Sequence, residues 1–211
     1  MPEYGVFSRN DIALDPVQLA ETFVATALAA GASVGEKISA IETTNGQVTG
    51  IRLSHGTLKA DFVVVAAGGG IEGLLEDLGI DIGMKTSPAL LLRYACSAPV
   101  INHILRGPRL EIRQASNNTL FVAKSYVEDD PENGLQIIGE RTLAVMRDDD
   151  LPDDVILTDA AVGNRPIFID GMPRLGVLPQ VENLYVAVGH PGVLAPLIGR
   201  LAAEEILDGQ V

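Results

Sequence analysis

Apolar residues recur at helical spacing near both ends of the chain and gather into short strand-like runs between them. The first helical pattern begins at Asp15, a good N-cap. Pro16 follows at the first helical position and Gln18 completes a capping box. Leu19, Phe23, Val24, Ala27 and Leu28 form one apolar face, and Gly31 ends the helix. Three runs, 33–42, 47–53 and 58–67, then predict strands. Asn45-Gly46 predicts a tight hairpin between the first two, and Ser54-His55-Gly56 a turn before the third. His55 is thereby expected to be an exposed, inert turn residue.

The segment Asp61 to Ala67 is a continuous apolar run of the kind buried on both faces of a sheet. Gly68-Gly69-Gly70-Ile71-Glu72-Gly73 follows it, ahead of a helix predicted over 74–78. As a pattern this is G-x-G-x-x-G, but a dinucleotide fingerprint opens a βαβ unit and meets an acidic residue about 20 positions on. Here the run closes a meander, and Gly79, Gly83, Lys85 and Pro88 interrupt any return. A late strand of a nucleotide-binding domain is the better reading; independent nucleotide binding by Gly68 to Gly73 is the weaker one.

Beyond Pro88 the pattern predicts an antiparallel sheet from strands 89–97, 109–115 and 119–126, the last two joined through 116–118. A helix over 135–146 follows, weakened by Gly134 and Gly139. A strand over 155–162, a buried strand over 184–188 and a helix over 193–207 close the chain. Pro196 sits early in that helix and Gly209 stops it.

Composition narrows the function classes. Fifteen basic and 28 acidic residues give a net charge of -13, which repels nucleic acid and anionic membrane. No apolar run approaches the roughly 20 residues of a membrane span, and the N-terminus is not a signal peptide. One cysteine, Cys96, excludes an internal disulfide and reads as a small core residue in a cytoplasmic protein. His103 lies in a connection without metal-ligand spacing around it, so no metal site is expected. The acidic stretches 128–131 and 148–154 read as solvated loops.

The chemistry concentrates near the end: Gly163-Asn164-Arg165-Pro166, then Asp170-Gly171-Met172-Pro173-Arg174-Leu175-Gly176, then Gly189-His190-Pro191-Gly192 directly after the 184–188 strand. A strand, a glycine turn and a helix N-terminus in that order suit close approach of backbone N–H groups to a ligand. With Ala195-Pro196, these blocks resemble the C-terminal signature of the FAD-dependent amino-acid oxidase family, which includes glycine oxidase, D-amino-acid oxidase and D-amino-acid dehydrogenase types. Asp15-Pro16, Gly31-Ala32 and Val63 to Gly68 resemble the same family earlier in the chain.

That resemblance implies a mixed α/β (α+β) fold. An incomplete FAD-binding domain, with its β-meander and flanking helices, occupies 1–84 and 154–211, and a small antiparallel substrate-domain sheet occupies 85–153. It implies FAD as cofactor and oxidation of the C–N bond of an amino acid or related amine, with hydride passing to the flavin. Arg165 would bind the substrate carboxylate, since a planar guanidinium pairs bidentately with it; bracing against Asp159 or Asp170 is the plainer alternative. Gly189, His190, Pro191, Gly192, Val193 and Leu194 would line the flavin, and Ile38 would meet its adenine side. No side-chain acid or base is proposed, because the flavin carries the chemistry.

The chain departs from the family pattern where a βαβ unit with the true G-x-G-x-x-G is expected. The sequence therefore reads as a fragment, or as a subunit whose partner supplies that half. A non-catalytic remnant that self-associates through the uncovered surface is the rival reading.

Overall fold

The computed structural model describes residues 10, 12–107, 110–115, 118–126, 134–148, 151–189 and 192–209. Two compact units emerge, Met1–Glu21 with Pro88–Gly163 (unit 1) and Thr22–Ser87 with Asn164–Val211 (unit 2). Helix α1 (Pro16–Ala29) begins as the sequence predicts: Asp15 Oδ1 accepts the N–H groups of Val17 at 2.9 Å and Gln18 at 3.2 Å. None of its residues is buried, and Phe23, Val24 and Leu28 are all exposed.

Unit 2 contains an antiparallel meander, β1 (Ala40–Thr44), β2 (Gln47–Leu53) and β3 (Gly56–Lys59). Asn45 and Gly46 both have positive φ, 53° and 81°, as their hairpin turn requires. The strand expected from residue 33 starts only at Ala40, where pairing with Arg52 begins. His55 sits in its turn and is mostly exposed, but it is not without partners. Its Nε2 lies 2.9 Å from Glu36, and its Nδ1 lies 2.8 Å from Ser54 Oγ.

The run expected as one strand over 58–67 splits in two. β3 pairs with β2, whereas β4 (Val63–Val65) joins another sheet, β10 (Arg174–Val177), β11 (Leu184–Val188), β4, in that order. Val63 and Val65 are buried, but Val64 is 46% exposed, so this apolar run is covered on one face only. An edge strand with an open side explains the difference, since apolar content alone does not report how many layers cover a sheet. Helix α2 (Ile71–Glu76) starts before the predicted position, and its Ile71 and Leu75 join Val65, Leu184, Val186 and Phe168 in the core. Against β11 packs helix α4 (Ala195–Asp208), ended by Gly209 in the left-handed conformation. Tyr185 on β11 is fully buried and donates its hydroxyl to Glu205 on α4, fixing helix to sheet. Burial, then the Glu205 bond, push its phenol pKa up.

Unit 1 is built around the five-stranded sheet β6 (Leu105–Arg106), β7 (Glu111–Ala115), β8 (Thr119–Ser125), β5 (Met84–Ala95), β9 (Ile156–Phe168), in that spatial order. β5 starts before the predicted 89–97 but stops at Ala95, β9 runs past the predicted 155–162 to Phe168, and β6 and β10 are additional strands. One sheet face packs under helix α3 (Leu135–Asp148). Gly139, expected to weaken that helix, is where it meets β9: a Cβ there would lie 2.4 Å from Leu157 Cδ2. Tyr94 Oη donates to the Gly139 carbonyl at 2.9 Å, and Cys96 is a buried core thiol donating to the Asn118 carbonyl. The mixed α/β fold with antiparallel sheets is borne out.

Candidate functional site

The candidate site grows from two parallel strands. β4 and β11 pair through Leu184↔Val63, Tyr185↔Val64 and Val186↔Val65, so their carboxyl ends lie side by side. The crevice outside such ends is where open α/β sheets bind ligands. β4 leads into Gly68, which has φ 55° and open space where a Cβ would stand, and then into a 3-10 turn and α2. After α2 the chain returns through β5, a member of the five-stranded sheet. Among the described residues, then, Gly68 to Gly73 do not open a βαβ dinucleotide unit.

β11 ends at Gly189, and two constraints demand glycine there. Its φ is 84°, and a Cβ would fall 2.4 Å from Phe168 Cε2. Phe168 is fixed in turn by the block after it. The Arg174 guanidinium carbon lies 4.3 Å from its ring centroid, Arg174 pairs with Asp170 at 3.1 Å, and Asp170 accepts the Met172 N–H at 3.1 Å. The bond from Met172, with smaller help from Arg174, holds the Asp170 carboxyl below its usual range. The Asp170 to Gly176 block thus works as a clamp that sets where β11 ends.

Two of the grooves on unit 2 involve these residues and Ile38. One, of about 650 Å³, includes Val64, Ala66, Gly68, Pro166, Gly189 and Ala195 in its wall. The other, of about 910 Å³, includes Lys37, Ile38, Ser39, Ala67 and Gly70. Ile38 is half-buried there and lies outside any strand. Gly192, Val193 and Leu194 form an exposed 3-10 turn leading into α4, whose N-terminus brings its positive end to this region. His190 and Pro191 lie outside the described residues.

Arg165 stands exposed on β9, its Nη2 donating to Ser87 Oγ at 3.4 Å. The carboxylates nearest to it in sequence are taken elsewhere, Asp159 by Arg93 at 3.5 Å and Asp170 by Arg174. Bracing against either is therefore not what holds Arg165. Sequence reasoning missed Phe168, Ser87 and Lys37. Nothing local marks the first two, whereas Lys37 beside Ile38 offered a cation next to a candidate cofactor position.

Cβ-free backbone at Gly68, an obligatory glycine at 189 and a helix start after β11 fit one flank of a dinucleotide cofactor. The described residues hold no second flank of strand, G-x-G-x-x-G, helix and strand. No helix among them is long and apolar enough to cross a membrane, and none of their His, Cys, Asp and Glu groups could hold a metal ion.

Comparison with known proteins agrees with this geometry. The chain is 26% identical over 167 residues to a glycine oxidase from Pseudomonas aeruginosa, covering 75% of this chain and 45% of that protein. Its fold matches the glycine oxidase from Geobacillus kaustophilus with TM-score 0.72 at 23% identity, over 88% of this chain and 52% of the other. It matches the L-proline dehydrogenase from P. horikoshii with TM-score 0.76 at 18% identity, over 92% and 56%. The chain spans about half the length of the curated relatives it matches. A family model described as FAD dependent oxidoreductase matches residues 2–205, and the chain belongs to that FAD-dependent family.

Proposed function

We propose that this chain supplies a flavin-facing and substrate-facing wall of an enzyme that oxidises the C–N bond of an amino acid or related amine. The observation carrying this reading is Arg165: an exposed guanidinium whose sequence-adjacent carboxylates are engaged by other arginines. Such a fork is free to take a substrate carboxylate through two parallel hydrogen bonds. FAD, when bound, supplies the hydride acceptor for the carbon bearing the amine. Gly189, His190, Pro191, Gly192, Val193 and Leu194 are assigned to the flavin ring side, where the start of α4 favours negative charge. Ile38 is assigned to the adenine side, with Lys37 beside it for phosphate charge. Residues 1–84 and 154–211 form the FAD-binding part in this reading, from which Arg165 reaches the substrate, and 85–153 form the substrate domain.

The exposed edge at Val64 favours a second reading, a non-catalytic module that self-associates or takes a partner chain there without FAD. The visible spectrum of the purified chain separates the two. Flavin bands near one equivalent after FAD is added support the first. A protein that stays colourless supports the second. In flavin-loaded material, Arg165→Gln is expected to weaken binding of a carboxylate-bearing amine by about tenfold or more, as loss of a charge-assisted bond does.

A further inference from the structure

The irregular segment between α1 and β1 is tied down at three places. At its start the Ala32 N–H donates to the Ala27 carbonyl at 3.0 Å, and at its end the Ser39 N–H donates to the Arg52 carbonyl at 2.9 Å. Between those anchors, among the described residues, Glu36 alone makes hydrogen bonds. Its Oε2 accepts from Ser54 Oγ at 2.6 Å, and its Oε1 lies 2.9 Å from His55 Nε2. Ser54 Oγ also lies 2.8 Å from His55 Nδ1, which closes the set. Ser54 and His55 lie at the turn between β2 and β3, so one carboxylate straps the segment to the meander.

This strap is part of the wall of the groove of about 910 Å³. Glu36, Lys37 and Ile38 line the groove from the strap and Ser54 lines it from the turn, so the Glu36–Ser54 bond joins two parts of one wall. The tie depends on charge. Histidine side chains change charge between about pH 8 and 5, and only a protonated ring makes an ion pair with Glu36. The other charged groups on the neighbouring elements leave Glu36 to His55. Arg52 of β2 pairs with Glu42 of β1 at 2.6 Å, and neither Lys37 of the strap nor Lys59 of β3 forms an ion pair among the described residues. A charged ring favours the closed strap. The tie is therefore strongest on the acid side of that range and weakens as pH rises through it.

We propose that Glu36, Ser54 and His55 form a pH-sensitive latch on this strap, and that closing it tightens the groove on the adenine and phosphate end of the cofactor. The second half rests on the reading of that groove given above; the latch itself does not.

Limited proteolysis of the purified chain tests the latch without flavin, because trypsin cuts after Lys37 and needs the strap freed from the meander. At pH 6, His55→Ala should be cut there about two- to fivefold faster than the unaltered chain, the usual weight of one exposed ion pair. At pH 8 the gap should narrow. Ser54→Ala should speed the cut at both pH values. Both side chains are exposed, so the melting temperatures should stay the same. Equal cutting of His55→Ala and the unaltered chain at pH 6, or a gap that does not change with pH, would overturn the latch. Titration with FAD, followed by flavin fluorescence, tests the consequence. The unaltered chain should bind FAD about two- to fivefold more tightly at pH 6 than at pH 8, and His55→Lys, charged at both, equally at both. FAD affinity that does not change with pH in the unaltered chain would overturn the coupling. No FAD binding at either pH, with the proteolysis as expected, would support the latch and remove the cofactor reading of the groove.

Discussion

The two units treat their strands differently. In unit 1, β5 and β8 lie inside a five-stranded sheet, where Leu92, Tyr94, Leu120 and Val122 are sealed under α3. In unit 2, β4 is as apolar in sequence as any of these, yet it stands at the edge of a three-stranded sheet with Val64 exposed. Edge position, not residue type, separates them. A side chain contributes the full burial term only when a second layer covers it.

Substitutions at the two places should break or confirm that contrast. Leu92→Ala in unit 1 is expected to cost about 2–5 kcal/mol, because a fully buried leucine leaves a cavity. Val64→Ala should stay within about 0.5 kcal/mol, as exposed changes do. Denaturant titration of both variants checks the pair. Comparable losses would show that the outer face of β4 is covered in solution.

Gly189→Ala should rank next. The new Cβ meets Phe168 in a backbone conformation that disfavours side chains, and about 1–3 kcal/mol is expected. Thermal melting of this variant alone and combined with Phe168→Leu tests the cause; partial recovery in the double variant identifies the clash as the source.

The smallest effect concerns the clamp. The Asp170 carboxyl is held below its usual range in the folded chain. Its contribution is therefore fully present above the unfolded carboxyl pKa and is lost as pH falls through the lower folded value. The Asp170 resonance followed by NMR against pH should titrate below an unstructured aspartate, and Arg174→Gln should move that midpoint upward by a small amount. An unchanged midpoint would remove Arg174 from the account.

Local chemistry made several features legible in the sequence. Asp15 and Pro16 announced α1, Asn45-Gly46 announced its hairpin, and Gly209 marked the end of α4; each acts through its own backbone and nearest neighbours. The family, and with it the FAD-dependent class, was also legible, because the closing blocks have unusual composition at fixed spacing. The division of the 58–67 run was not. β3 and β4 choose different partners, one nearby and one more than a hundred residues away, and periodicity carries no information about that choice.

The sequence by itself thus determined where turns and helix ends fall, and which family the chain joins, because those depend on short-range sterics, hydrogen bonding and motif spacing. Only the tertiary structure decided that Gly189 is demanded by Phe168, that Arg174 stacks on Phe168 while pairing with Asp170, and that Arg165 meets Ser87 and, among the described residues, no carboxylate. It alone set Arg93, Phe121 and Arg113 in one row. Strand register sets Arg93 opposite Phe121, 28 positions along the chain, and no local rule specifies which residues will face each other.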